Sequence, residues 1–270
     1  MIFYFSGTGN TKWAANELAQ QTGDRLLFIP DELKGDCCYT LEPNERIGFC
    51  FPVHGWQPPA IVKSFVKRLD IKSCGPEHFC FALCTCGDNT GDAMKILDRL
   101  LRPKGLQLQS AYSLIMPETY VCLPFMHTDT REREDRKIAQ ATLNLAIITE
   151  EIKERRKGNF RVGKGPAPLL YSYIIGEFFN RWMITDKPFK VSLEKCSGCG
   201  RCAHVCPTQN ISLDSHKHPM YKHRLCTCCL ACYHHCPLHA INYGPLTKKR
   251  GQYFFNDRMS SISKSKCLKP

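Results

Sequence analysis

The chain has 270 residues, 43% hydrophobic and 23% charged, with 37 Lys and Arg against 25 Asp and Glu and with 18 Cys. That length and balance exclude disorder as a description of the whole, allow one large or two smaller packed domains, and leave cysteine short of the density of a small secreted disulfide scaffold. Neither cysteine nor charge is evenly spread: residues 191–270 hold ten of the cysteines, and residues 186–270 hold 14 basic against four acidic side chains, a net of +10 out of +12.

The opening MIFYFSGTGN has no basic leader or small-residue cleavage site, and no run of about 18 uncharged apolar residues follows. A cytoplasmic chain with reduced thiols is expected, so clustered cysteines read as metal or cluster ligands rather than disulfides. Apolar runs at 1–5, 25–29, 46–51, 78–84 and 107–115 predict strands, and amphipathic stretches at 10–21, 59–69, 91–101 and 130–157 predict helices. Their alternation is that of a parallel α/β sheet. The connection over 31–45 lacks helical periodicity and is read as irregular. Ile138, Leu145, Ile148 and Ile152 share one face of the last helix, which should cover the sheet.

Gly163, Gly165, Pro166 and Pro168 mark a linker. Residues 169–184 (LLYSYIIGEFFNRWMI) are apolar and aromatic, but Glu177, Asn180 and Arg181 interrupt them and the run is too short to span a bilayer. The expectation is a helix packing two modules together; the alternative is an interfacial membrane helix.

Two loops follow predicted strands with chemistry of their own. The first strand runs into Ser6, Gly7, Thr8, Gly9, Asn10 and Thr11, where hydroxyls and backbone N–H groups at a helix start can surround a phosphate without Lys or Arg. The spacing is neither a P-loop nor a dinucleotide fingerprint. Beyond the linker, Cys196, Cys199, Cys202, Cys206 and Pro207 recur thirty residues on as Cys226, Cys229, Cys232, Cys236 and Pro237. Each half reads C-x2-C-x2-C-x3-C-P, a [4Fe-4S] spacing that suits a pair of zinc sites poorly. Cys228 has Gly198 as its counterpart and is read as a non-ligand. The seven histidines of this region are read as surface residues, with a link between His204 or His235 protonation and cluster potential as the sharper alternative.

The cysteine repeat resembles bacterial two-cluster ferredoxins over 187–245. The resemblance implies that Cys196, Cys199, Cys202 and Cys236 hold one [4Fe-4S] cluster, and that Cys226, Cys229, Cys232 and Cys206 hold the other. The Ser6–Thr11 loop and the order of elements over 1–157 resemble flavodoxins, implying a doubly wound five-stranded parallel sheet whose loop binds the FMN phosphate. By the same resemblance Pro52, Val53, His54, Gly55 and Trp56 form one flavin-flanking loop, with Trp56 the stacking candidate. Cys86, Gly87, Asp88 and Asn89 belong to the other, which lacks an aromatic, and Tyr120 in the segment 117–127 is a candidate cover. No catalytic residue is identifiable; His54, Asp88 and Tyr120 are more readily structural.

Together the two parts resemble flavodoxin and ferredoxin fusions of anaerobic microbes, to about residue 245. The expected organisation is an FMN domain at 1–157, a linker and docking helix at 158–186, a small α+β two-cluster domain at 187–245 and a basic tail at 246–270. The resemblance implies an iron-sulfur flavoprotein that links one-electron carriers to a flavin-dependent reduction of an unnamed acceptor. The alternatives are a pure electron carrier and a basic cysteine-rich redox-sensing or nucleic-acid-binding module. Lys217, Lys222 and Arg224 have only Tyr221 among them, too little aromatic interleaving for a nucleic-acid platform. Two clusters and an FMN phosphate, each at about −2, would leave about +6 of the net charge. An acidic redox protein, a ferredoxin or a reductase, is thus the expected partner, with a small-molecule acceptor as a second candidate and no membrane span.

Overall fold

The computed structural model describes residues 1–73, 78–223 and 225–255; Arg224 and the lysines at 264, 266 and 269 lie outside them. In chain order the first part contains β1 (Ile2–Tyr4), α1 (Asn10–Thr22), β2 (Leu26–Phe28), α2 (Ile29–Glu32), β3 (Cys38–Leu41), β4 (Arg46–Pro52), α3 (Ala60–Arg68), β5 (Asp70–Ser73), β6 (Phe79–Cys86), α4 (Ala93–Leu101), β7 (Ser110–Ile115), α5 (Arg131–Lys153) and β8 (Phe160–Arg161). The central sheet runs β2-β1-β4-β6-β7-β8 and is parallel throughout. Its five long-range members are the expected strands; β8 adds a two-residue sixth at the edge, where Phe160 pairs with Ala111.

Side chains alternate across the pleat and build a core on each face. Phe3, Phe49, Phe51, Cys80, Ala82 and Cys84 meet Val62, Phe65 and Leu97 of α3 and α4, whereas Cys50, Phe81 and Leu83 meet Trp13, Leu18, Ile138 and Leu145 of α1 and α5. The strand cysteines are small packing residues, their thiols pushed up by burial. The connection read as irregular holds α2 and β3, and β3 pairs in parallel with β5 in a separate two-stranded sheet. It has no helical period because Cys38–Leu41 is a strand, and its Tyr39 meets Phe3 in a T-shaped contact, 4.8 Å between centroids.

A helical run, α6, is wound from Pro168–Leu170, Tyr171–Ile175, Gly176–Phe178 and Phe179–Met183, the second and fourth pieces as wide π turns. The second part follows: β9 (Phe189–Val191), α7 (Arg201–His204), β10 (Ile211–Leu213), β11 (Pro219–Tyr221), α8 (Ala231–His234) and β12 (Ile241–Tyr243). Here β9 pairs with β12 and β10 with β11, both antiparallel. Its core of Phe189, Ile211, Leu230, Tyr233 and Ile241 also takes in Val121 and Cys122 from the loop after β7. The segment read as a cover is thus partly inserted into the second core.

The chain then turns back. The Phe255 ring packs against Trp13 at a tilt, 5.2 Å between centroids, the Phe255 N–H donates to the Thr8 carbonyl at 2.8 Å, and the Tyr253 hydroxyl donates to Asn10 Oδ1 at 2.8 Å. Both aromatics are buried, inside the stretch read as a tail. Among the described residues no helix is long and apolar enough to cross a membrane.

Candidate functional site

The chain moves from β1 to β2 on one side and later to β4 on the other, so the strand order reverses at the carboxyl ends of β1 and β4, where open α/β sheets bind ligands. A cavity of about 50 Å³ opens there, enough for a few water-sized groups. The start of α1 faces the same end of the sheet, with first-turn N–H groups that have no partner within the helix. Ser6, Gly7, Thr8, Asn10 and Thr11 line the cavity, as do Pro52, His54, Cys86 and Gly87. Ser6 Oγ accepts from the Gly9 N–H at 3.2 Å, and Thr11 Oγ1 lies 2.8 Å from Thr85 Oγ1. Hydroxyls, a helix start and a cavity of this size fit a phosphate group.

The other expected ring contacts stand elsewhere. Trp56 stacks on Tyr171 of α6 at 4.9 Å, Gly55 lies against Phe179, and Val53 packs on the sheet core. Asn89 donates to Asp88 Oδ2 at 2.9 Å, and Tyr120 meets the Phe179 ring edge-on at 5.3 Å. Thr85, Met116, Pro117 and Thr119 also line the cavity, with two ionisable residues that were not expected there, Glu118 and Cys229. Glu118 Oε1 accepts from the Thr119 and Tyr120 N–H groups, yet burial outweighs these bonds and holds its carboxyl above the usual range. Its one sequence signal is an acid just past a strand's carboxyl end. Burial likewise pushes His54 down to about 4, so it faces the cavity uncharged.

The cysteine halves are built alike. Gly198 and Gly200 adopt φ of 65° and 71°, and their counterparts Cys228 and Leu230 adopt 50° and 60°. The distal cysteines also match: the Asn210 N–H donates to Cys206 Sγ and the Ala240 N–H to Cys236 Sγ, each at 3.3 Å. Such N–H···S bonds tune cluster potentials.

Cys196, Cys199, Cys202 and Cys236 line one cavity together with Lys195, Arg201 and Lys217. Cys206 lies near enough to help raise the pKa of Cys229 and Cys232, Cys226 that of Cys232, and Cys229 those of Cys226 and Cys232. Burial is the larger cause and pushes Cys202 and Cys229 up to about 11, so a cluster must displace these protons as it binds. Among the described residues no three His, Cys, Asp or Glu converge on a point, as a single metal ion would require. Cys228 is buried against Cys122 and Tyr243. His234, expected at the surface, is 1% exposed; its Nε2 faces the Thr119 carbonyl at 2.7 Å and its Nδ1 accepts from the Tyr253 N–H at 3.1 Å.

The two regions touch. Cys229 belongs to the phosphate-loop cavity, and its Cβ lies 2.7 Å from where a side chain on Gly7 would begin. Only glycine allows that approach.

Residues 195–241 match the 4Fe-4S dicluster domain family. This part of the chain binds a [4Fe-4S] cluster and belongs to iron-sulfur electron transfer. No curated protein matches the chain. Among solved structures it is similar to the Trp repressor binding protein from Bacillus subtilis, at 13% identity over 42% of this chain and 83% of that one, with a TM-score of 0.28. So slight a likeness bears on neither fold nor function.

Proposed function

We propose that the chain is an iron-sulfur flavoprotein that moves electrons between FMN and two [4Fe-4S] clusters, joining a one-electron carrier to reduction of a further acceptor. The observation behind this reading is the contact of Cys229 with Gly7. It sets a ligand of the second cysteine run against the loop that would hold the FMN phosphate through Ser6, Thr8, Asn10, Thr11 and the start of α1. FMN supplies one- or two-electron chemistry when bound, whereas each cluster exchanges one electron.

The chain's own residues define the rest. Cys196, Cys199, Cys202 and Cys236 would hold one cluster and Cys206, Cys226, Cys229 and Cys232 the other. Of these, Cys199 is exposed and shares its cavity with Lys195, Arg201 and Lys217. A cationic rim around an exposed ligand suits docking by an acidic carrier protein. Cys229 lies against the Ser6–Thr11 loop. His54, uncharged, and Glu118, its carboxyl raised, are placed to hold a proton beside whatever the cavity binds.

Anaerobic purification tests the proposal. Expected are about eight iron atoms per chain, a broad absorbance near roughly 400 nm that bleaches on reduction, and one FMN released on denaturation. A protein with its full iron and no affinity for added FMN would overturn the flavin half; a colourless, zinc-containing protein would overturn the whole.

A further inference from the structure

Helix α6 has two faces. Toward the sheet, Ser172, Gly176 and Phe179 are buried against the loops after β4 and β6. Ser172 Oγ accepts from the Asp92 N–H at 2.7 Å, its carbonyl accepts from Gln57 Nε2 at 2.6 Å, and Gly176 lies directly on the Gly55 carbonyl. Away from the sheet, Leu170 is 47% exposed, Ile174 65%, Phe178 59% and Trp182 65%.

These four recur at intervals of four. In an α-helix that spacing overshoots a turn by roughly 40° at each step, so the row would wind off to the side. The two π pieces bond i to i+5 and use more residues per turn, which draws the row back toward one line. The winding therefore produces a straight apolar ridge on the outside of the molecule. Exposed apolar surface of this continuity marks an interaction site.

The exposed charges over 177–190 are mostly basic, three cations against the one acid Glu177. Arg181, Lys187 and Lys190 are exposed, and the Arg181 guanidinium sits 5.5 Å from the Trp182 ring. Of the two acids of the same stretch, Asp186 turns inward, while Glu177 is exposed with its carboxylate toward Gln57. Glu177 accepts from Gln57 Nε2 at 3.3 Å, and the buried Asp186 accepts from Asn210 at 2.6 Å and meets His223 Nδ1 at 2.8 Å.

We propose that α6 is an interfacial anchor for an anionic lipid bilayer, with Leu170, Ile174, Phe178 and Trp182 sunk at the headgroup boundary and Arg181, Lys187 and Lys190 against lipid phosphates. A second copy of the chain suits the face less well, since a two-fold contact sets the same cations against their own images. A protein interface of ordinary size calls for a broad patch, about 800 Å² on each side, whereas a single convex ridge suits a fluid layer. The inference stands apart from the flavin and the clusters.

Flotation of the full-length holoprotein with vesicles tests it, using phosphatidylcholine alone and with roughly 30% phosphatidylglycerol. Expected are binding to the anionic vesicles that weakens as salt rises, and a blue shift of tryptophan emission that Trp182→Phe removes. Phe178→Glu and Ile174→Glu, at exposed positions, should each lower partitioning about tenfold with far-UV circular dichroism and the cluster absorbance unchanged. No binding by the wild type overturns the proposal, as does binding that both variants retain. A dimer in light scattering that Phe178→Glu dissociates, without vesicle binding, assigns the ridge to a second copy and overturns it equally. So does capture by the ridge of an acidic protein with no affinity for vesicles.

Discussion

Gly7 is the residue on which the two halves of the molecule meet. A side chain there would begin 2.7 Å from Cys229 Cβ and 3.1 Å from its carbonyl, and backbone cannot yield as a flexible side chain can. Gly7→Val should cost about 1–3 kcal/mol by overpacking, read as a lower urea midpoint, while the iron content of the purified protein persists. Cys206→Ser should damage the cluster held by the 226–232 run; electron paramagnetic resonance that shows loss confined to the 196–202 run would refute crossed ligation. The iron-sulfur character of residues 195–241 was legible because covalent spacing is written in the sequence itself. Cys229 as a wall of the phosphate-loop cavity was not, since that role depends on how separate segments dock.

At the scale of elements, the strands and helices of the sheet were legible from their period, and β3 and β5 were missed because four residues each are too few for a period to stand out. Helix α6 shows a different limit. Its apolar content announced a helix, but with apolar residues on both sides the pattern could not say which side is covered. The structure assigns the inner side to Ser172, whose hydroxyl takes up the Asp92 N–H. Ser172→Ala leaves that buried donor without a partner, a cost of about 1–3 kcal/mol. Faster hydrogen exchange in α6, with the central strands unchanged, is the expected result; uniform exchange across the chain would contradict it.

For the molecule as a whole, two histidines tie stability to pH, His234 fully buried and His54 partly so. His54 and His234 are each pushed down to about 4 by burial, against 6.5 ordinarily. Between those values the unfolded chain binds protons that the folded chain refuses. The stabilisation is therefore complete above pH 6.5 and is lost as pH falls toward 4, by about 1.4 kcal/mol per unit for each histidine. Urea midpoints should fall from pH 7 to pH 5, and His234→Asn should shallow the slope; a midpoint flat over that range would refute the assignment. Cysteine and charge alone set the last eighty residues apart in the sequence. That the chain comes home again was not, because Tyr253 and Phe255 lie in a stretch with no periodicity to mark them.

That return has a mechanical consequence. A module joined by one linker swings on a hinge, and its partner surface is met only part of the time. Here the cysteine module is strapped at both ends, through α6 on one side and through Phe255 on Trp13 at the other. Leaving the Ser6–Thr11 loop would mean opening both fastenings at once, so the electron exchange proposed above would proceed across Gly7 and Cys229 at fixed separation, without waiting for a domain to find its place.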